Sequence, residues 1–186
     1  MNKSIDQISD IMHRYYITRE IQDREHLIEI LFKEVTIKQF DDAINNLSLT
    51  LNSDLVGDVL NVGLITKYFN EKNERSLKKI LLLNFHKSHE DITSLFQSNY
   101  HNNKENIPIL LHSINTIPSY LTPDDFKYPY IRKLIYAIGA QPEPYNIEAL
   151  EKLASETNDE KIKDLALHQI EKRKELGRWE AAKNAQ

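Results

Sequence analysis

Ala149-Leu150-Glu151-Lys152-Leu153-Ala154, then the polar turn Thr157-Asn158-Asp159-Glu160, then Ile162-x-x-Leu165-Ala166-x-x-x-Ile170: along this stretch apolar residues recur at three and four, stop, and resume. The spacing predicts one amphipathic helix, a break holding Asn and Asp, and a second helix folded back on the first. Helices joined by so short a turn bury their apolar stripes against each other and against further helices. The stretch therefore predicts an all-α chain of antiparallel helix pairs.

The same period runs outward through the rest of the sequence. Just upstream, Ile131, Leu134, Ile135 and Ile138 form one face, with Pro129 expected to open that helix and Gly139 to stand just past its end. Pro108 fits the first turn of a helix through Leu110, Leu111 and Ile114, after a polar loop from Asn99 to Asn106. Ser88 reads as the N-cap of a helix carrying Ile92, Leu95 and Phe96, with Asp91 as the acid of a capping box.

In the amino half, Ile5, Ile8, Ile11, Met12 and Tyr15 mark a first helix, and Leu27, Ile28, Leu31, Phe32 and Val35 a second. A third starts near Thr36. Ser53 or Asp54 caps a fourth, with Val56, Val59, Leu60 and Leu64 inward, and Asn73 precedes a fifth running through Ile80 to Phe85. Gly57 and Gly63 fall inside the fourth, where each costs about 1 kcal/mol relative to Ala. Both are read as points of close helix contact. The tail from Arg173 is charged and expected to fray, with Trp179 as its candidate anchor. No stretch alternates as a strand does.

Composition agrees. The 186 residues hold Gly 4, Pro 6 and 28% charged residues, with too little turn glycine for an all-β fold. One domain is expected, with internal boundaries at residues 1–85, 86–173 and 174–186. The lack of cysteine removes disulfide frameworks, thiolate nucleophiles, zinc fingers and iron–sulfur ligation. Acids interrupt the apolar positions of the amino terminus, so it does not read as a signal peptide. The longest apolar run, Ile80 to Leu83, is far short of the ~20 residues that span a bilayer, so cytoplasmic residence with no membrane partner is expected. Lys+Arg 24 and Asp+Glu 28 are interspersed, for a net charge of -4, so no nucleic-acid partner is expected either.

Second helices opening at Ile92, Ile131 and Ile162 recur after 39 and then 31 residues, the longer step holding the proline-rich segment SYLTPDDFKYP. This resembles the HEAT repeat, whose helix pairs stack into a short α-solenoid with a loosely kept period. Ser88-His89-Glu90-Asp91-Ile92, the Pro108 helix, Asp124-Asp125 and Leu134-x-Tyr136-Ala137-Ile138-Gly139 together are similar to small HEAT-like immunity proteins of bacterial contact-dependent and polymorphic toxin systems. The resemblance spans roughly Ser88 to Arg173. It implies a non-enzymatic protein, without cofactor, that holds a cognate toxin domain inactive. Toxins of this kind include nucleases, whose substrate clefts are positive, and acids placed in such a cleft compete with phosphate. On that reading Glu90, Asp91, Tyr120, Asp124, Asp125 and Tyr128 are the expected partner-binding residues. The rival readings are a HEAT-type adaptor and a HEAT-like DNA-repair enzyme.

Motifs for chemistry are sparse. His86-x-x-His89-Glu90 has ligand-like spacing but departs from H-E-x-x-H and H-x-x-E-H, and a capped surface turn is preferred to a metal site. The other histidines are scattered, and one of them is expected to pack inside. Asp41-Asp42 and Asp124-Asp125 are adjacent on helices and point apart, so they read as solvated faces or dipole partners rather than acid/base dyads. The groups Arg14, Tyr15, Tyr16, Arg19 and Lys172, Arg173, Lys174, Arg178, Trp179 have acids beside them and read as ordinary helix surface.

Overall fold

A computed structural model describes residues 2–184, with side chains to residue 177. Among the described residues the protein is all-α, ten helices joined by short connections and 3₁₀ turns, with no strand. It forms two compact units, Met1–Ile92 and Thr93–Gln186, the division falling within one helix, α6 (His89–Ser98).

The amino unit holds α1 (Lys3–Tyr16), α2 (Arg24–Glu34), α3 (Ile37–Asn46), α4 (Ser53–Thr66) and α5 (Glu74–Leu81). α1 packs on α4, α3 and α2. Of its predicted stripe, Ile5, Ile8, Ile11 and Met12 are fully buried, each side chain contributing about 1.5–3 kcal/mol by leaving water, while Tyr15 is half-buried. Thr36 caps α3 in a reciprocal box with Gln39. α4 is capped by Asn52, whose Oδ1 accepts from the Asp54 and Leu55 amides, one residue before the expected Ser53. Phe32 and Leu64, expected inward, are exposed at 55% and 49%.

The two glycines of α4 separate. A Cβ on Gly63 would lie 2.5 Å from Phe40 Cζ and 2.6 Å from the Phe69 ring, so the close contact expected there is real. A Cβ on Gly57 would meet nothing within 4 Å. The second expectation is corrected: no packing inside the chain requires Gly57. α5 also stops four residues before the expected Phe85. The imidazole of His86 takes the Ile80 carbonyl, which the Asn84 amide would need to extend the helix.

The carboxyl unit holds the rest of α6 with α7 (Ile107–Asn115), α8 (Asp124–Gly139), α9 (Tyr145–Glu156) and α10 (Glu160–Asn184). α7 packs on α8, and α9 and α10 pack on each other and on α8. The predicted inward residues of α8, Ile131, Leu134, Ile135 and Ile138, are all fully buried. Pro108 sits in the first turn of α7, as expected. Pro129 does not open α8 but lies inside it, and the helix begins at Asp124. The two acids of the first turn complement the helix dipole, and an exposed proline in the second turn removes only one backbone bond.

Gly139 is the last residue of α8, not a left-handed cap; no described glycine has positive φ. Its side is covered by Gln169, which a Cβ at this position would overlap. The end of α8 is closed by amides instead. Asn146 Nδ2 donates to the Gly139 carbonyl at 2.9 Å, and Gln141 Nε2 donates to Ala137 and Phe96 carbonyls at 2.9 and 3.0 Å. Asn106, read as part of a polar loop, is buried and donates to the Tyr100 carbonyl and to Gln141 Oε1. α10 runs on through Asn184 where a frayed tail was expected. The side chains of Arg178 and Trp179 lie outside the described residues. Among the described residues, no helix is long and apolar enough to cross a membrane.

Candidate partner-binding surfaces

The sequence-predicted residues Tyr120, Asp124, Asp125 and Tyr128 lie in and just before the first turns of α8, within the carboxyl unit. Tyr128 is half-buried and fixed: its hydroxyl donates to Asp159 Oδ2 at 3.0 Å, and Lys127 and Lys161 stand over its ring at 4.9 and 4.2 Å. Lys127 also pairs with Asp159 at 3.4 Å; against the upward push of burial, the Tyr128 hydroxyl first, then the Ile162 amide and Lys127, hold that carboxyl below the usual range. Asp124 meets Lys161 at 3.6 Å between two exposed groups, a pairing of little strength in water. Asp125 and Phe126 face solvent, Phe126 at 57% exposure. Tyr130 is instead part of the core. The segment thus presents two acids and one apolar ring on a base held by Tyr128 and Asp159.

Glu90 and Asp91 occupy the first turn of α6, within Met1–Ile92; Glu90 is half-buried and Asp91 exposed. Beside them His86 and His89 are not a surface turn. Both are 1% exposed and their rings stack at 4.2 Å with planes 13° apart. Each Nε2–H donates to a backbone carbonyl, His86 to Ile80 at 2.8 Å and His89 to Leu83 at 2.9 Å. The Ser88 amide donates to His86 Nδ1, which fixes that ring as neutral. Burial pushes both imidazoles down, His89 to about 4 with the neighbouring His86 adding to the effect. With both Nε2 atoms committed to carbonyls the pair cannot converge on one ion. No group of three or more His, Asp or Glu among the described residues is placed to hold a metal. The five other histidines, one of which was expected inside, are all exposed.

The paired acids of the amino half carry structure. Asp41 Oδ1 accepts from Asn70 and Asn73 at 2.9 and 2.8 Å, and Asp42 Oδ2 accepts from Asn2 and Ser4 at 2.9 and 3.0 Å. They point apart, as adjacency on a helix requires, but they staple the unit together rather than standing free in solvent. Arg14 is held by Asp10 and Glu34, and Arg173 by Glu143, in keeping with ordinary helix surface.

Sequence reasoning missed one site entirely. A groove of about 570 Å³ lies between α1 and α4, entered over Gly57 and bordered by Asp54, Asp58, His13 and Lys87. Ser9 Oγ donates to Asp58 Oδ2 at 3.0 Å. Burial pushes the Asp58 carboxyl up, and Asp54 one turn away adds to this against the Ser9 hydrogen bond and His13. The sequence marks it only by Gly57 next to Asp58, and there that glycine reads as a close helix contact. Comparisons of this chain with family models, with curated proteins and with solved structures find no match.

Proposed function

We propose that this chain is a non-catalytic binding protein, an immunity protein that neutralises a cognate bacterial toxin domain by occupying its active-site cleft. The observation that carries the reading is the start of α8, where Asp124, Asp125 and Phe126 project from a turn braced by Tyr128 and Asp159. Exposed acids flanking a large exposed ring, on a base whose rotamers are already fixed, lose little entropy on meeting a basic surface. The packing of α7 with α8 and of α9 with α10 supports a HEAT-like stack as the scaffold.

The test is co-expression with the product of the neighbouring gene. Protection and a co-purifying complex are expected. Reversing Asp124 and Asp125 to Lys, with or without Glu90 and Asp91, is expected to weaken the complex at least tenfold at unchanged melting temperature. A harmless neighbour, or protection indifferent to these reversals, overturns the reading.

A further inference from the structure

The groove that borders the α1–α4 contact is the part of the amino unit that its own packing leaves unexplained. Three cavities of about 570, 350 and 450 Å³ share Asn52 and Leu55 and together follow α1 from Ile17 back to Asn2. At 1.5 Å per residue that trough is roughly 20 Å long. Its middle is open over Gly57, where a side chain would meet nothing. Asp54 and Asp58, one turn apart on α4, lie on either side of Gly57 in sequence and form no ion pair among the described residues; Asp6 lies further along. Lys87 and His13 are the basic groups on the trough. At its far end it is lined by Leu49, which is 76% exposed.

We propose that this trough binds a basic segment of a partner protein, with a Lys or Arg side chain crossing Gly57 to Asp54 and Asp58 and an apolar neighbour against Leu49 and Leu55. Charge argues for the sign of the occupant. Asp54 and Asp58 stand one turn apart with only the Ser9 hydroxyl bonded to Asp58 and, among the described residues, no ion pair to either, so a cation would relieve the repulsion between them. Length argues for its kind: a trough of roughly 20 Å takes about six residues of extended chain at about 3.3 Å each, whereas a small cation would fill only its middle. The apolar rim favours a segment carrying side chains of both types. Gly57 gives the closest approach, since any larger residue there would narrow the passage. The inference goes beyond the α8 surface and does not depend on it.

The full chain is titrated with a fluorescein-labelled octapeptide of alternating Lys and Leu, beside Glu/Leu and Lys/Ser octapeptides, by fluorescence anisotropy. Binding of the Lys/Leu peptide is expected, at least tenfold tighter than either control. Asp54→Lys with Asp58→Lys, and separately Gly57→Leu, are expected to weaken it at least tenfold. The matched reversal Glu148→Lys with Glu151→Lys on α9 leaves it unchanged. Should Gly57→Leu fail to fold, the Asp54 and Asp58 reversal decides. No binding, binding indifferent to these variants, equal binding of the Lys/Ser peptide, or displacement by spermidine at the peptide's own concentration overturns the proposal. So does concentration-dependent dimerisation that Gly57→Leu abolishes, which would make the occupant a second copy of this chain.

Discussion

In the carboxyl unit the buried polar network is built from amides, Asn106, Gln141 and Asn146, whose partners are backbone carbonyls and one another. In the amino unit much of it is built from groups that titrate: the stacked His86 and His89, and the half-buried Asp58. Both units carry paired surface charge, Arg14 with Asp10 and Glu34 in the amino unit, and the difference lies at one groove. Lys127, Lys161 and Arg173 are matched to Asp159, Asp124 and Glu143, whereas Asp54 and Asp58 border a groove with no ion pair of their own. Amides satisfy buried backbone at any pH, so the carboxyl unit is a scaffold indifferent to mild acid. The amino unit carries stability that depends on protons.

The amide network of the carboxyl unit is most vulnerable at Gln141. Gln141→Leu strands the Phe96 carbonyl in the core, leaves the Asn106 amide only its bond to Tyr100, and is expected to cost about 3 kcal/mol in urea denaturation, equally at pH 7 and pH 5. The histidine pair should behave in the opposite way. Both folded pKa values lie below the ordinary 6.5, that of His89 at about 4, so the unfolded chain binds more protons from 6.5 down to the folded value of His89. Stability is full above that window and falls by about 2–3 kcal/mol as pH drops through it. Asp58, pushed up, opposes part of this loss, and Asp159, held low, contributes only in stronger acid. Amide exchange, corrected for intrinsic rates, should show protection lost first around α5 and the start of α6 at pH 5. Equal loss in α8 would erase the distinction.

Smaller effects sharpen it within one helix. Gly63→Ala is expected to cost about 1–3 kcal/mol by driving Phe40 and Phe69 apart, while Gly57→Ala, facing open space, is expected to gain about 0.5–1 kcal/mol from helix propensity. Thermal melts of the two variants should therefore shift in opposite directions. The smallest change is expected from Tyr128→Phe, under about 1 kcal/mol, because its hydrogen bond to Asp159 is partly open to water. A larger loss would make that tyrosine a core residue rather than a brace.

The helical period was legible because it is local: Ile5, Ile8, Ile11 and Met12 on α1, and Ile131 to Ile138 on α8, are buried as their spacing requires. The Thr36 and Pro108 helix starts were legible for the same reason. What misled was punctuation whose meaning depends on distant contacts. Pro129 and Gly139 looked like the ends of a helix, yet one lies inside α8 and the other makes room for Gln169, thirty residues on. The His86-x-x-His89 spacing suggested ligands or a surface turn, and nothing within four residues reveals that the Ile80 and Leu83 carbonyls are waiting for them. Of the candidate surface residues, Asp124 and Asp125 were readable as helix-start acids, but the Asp159 that fixes Tyr128 lies in another helix pair's turn.

By itself the sequence determined the class of this protein: apolar residues at three and four, little glycine and no cysteine leave a cysteine-free bundle of helices as the way to bury its core. Only the tertiary structure decided what its exceptional residues do. Gly57 and Gly63 are the same residue six positions apart on one helix, and one is filled by two phenylalanines while the other opens a groove between acids. Periodicity reports which face a residue takes; what stands opposite that face is set by packing between elements far apart in the chain.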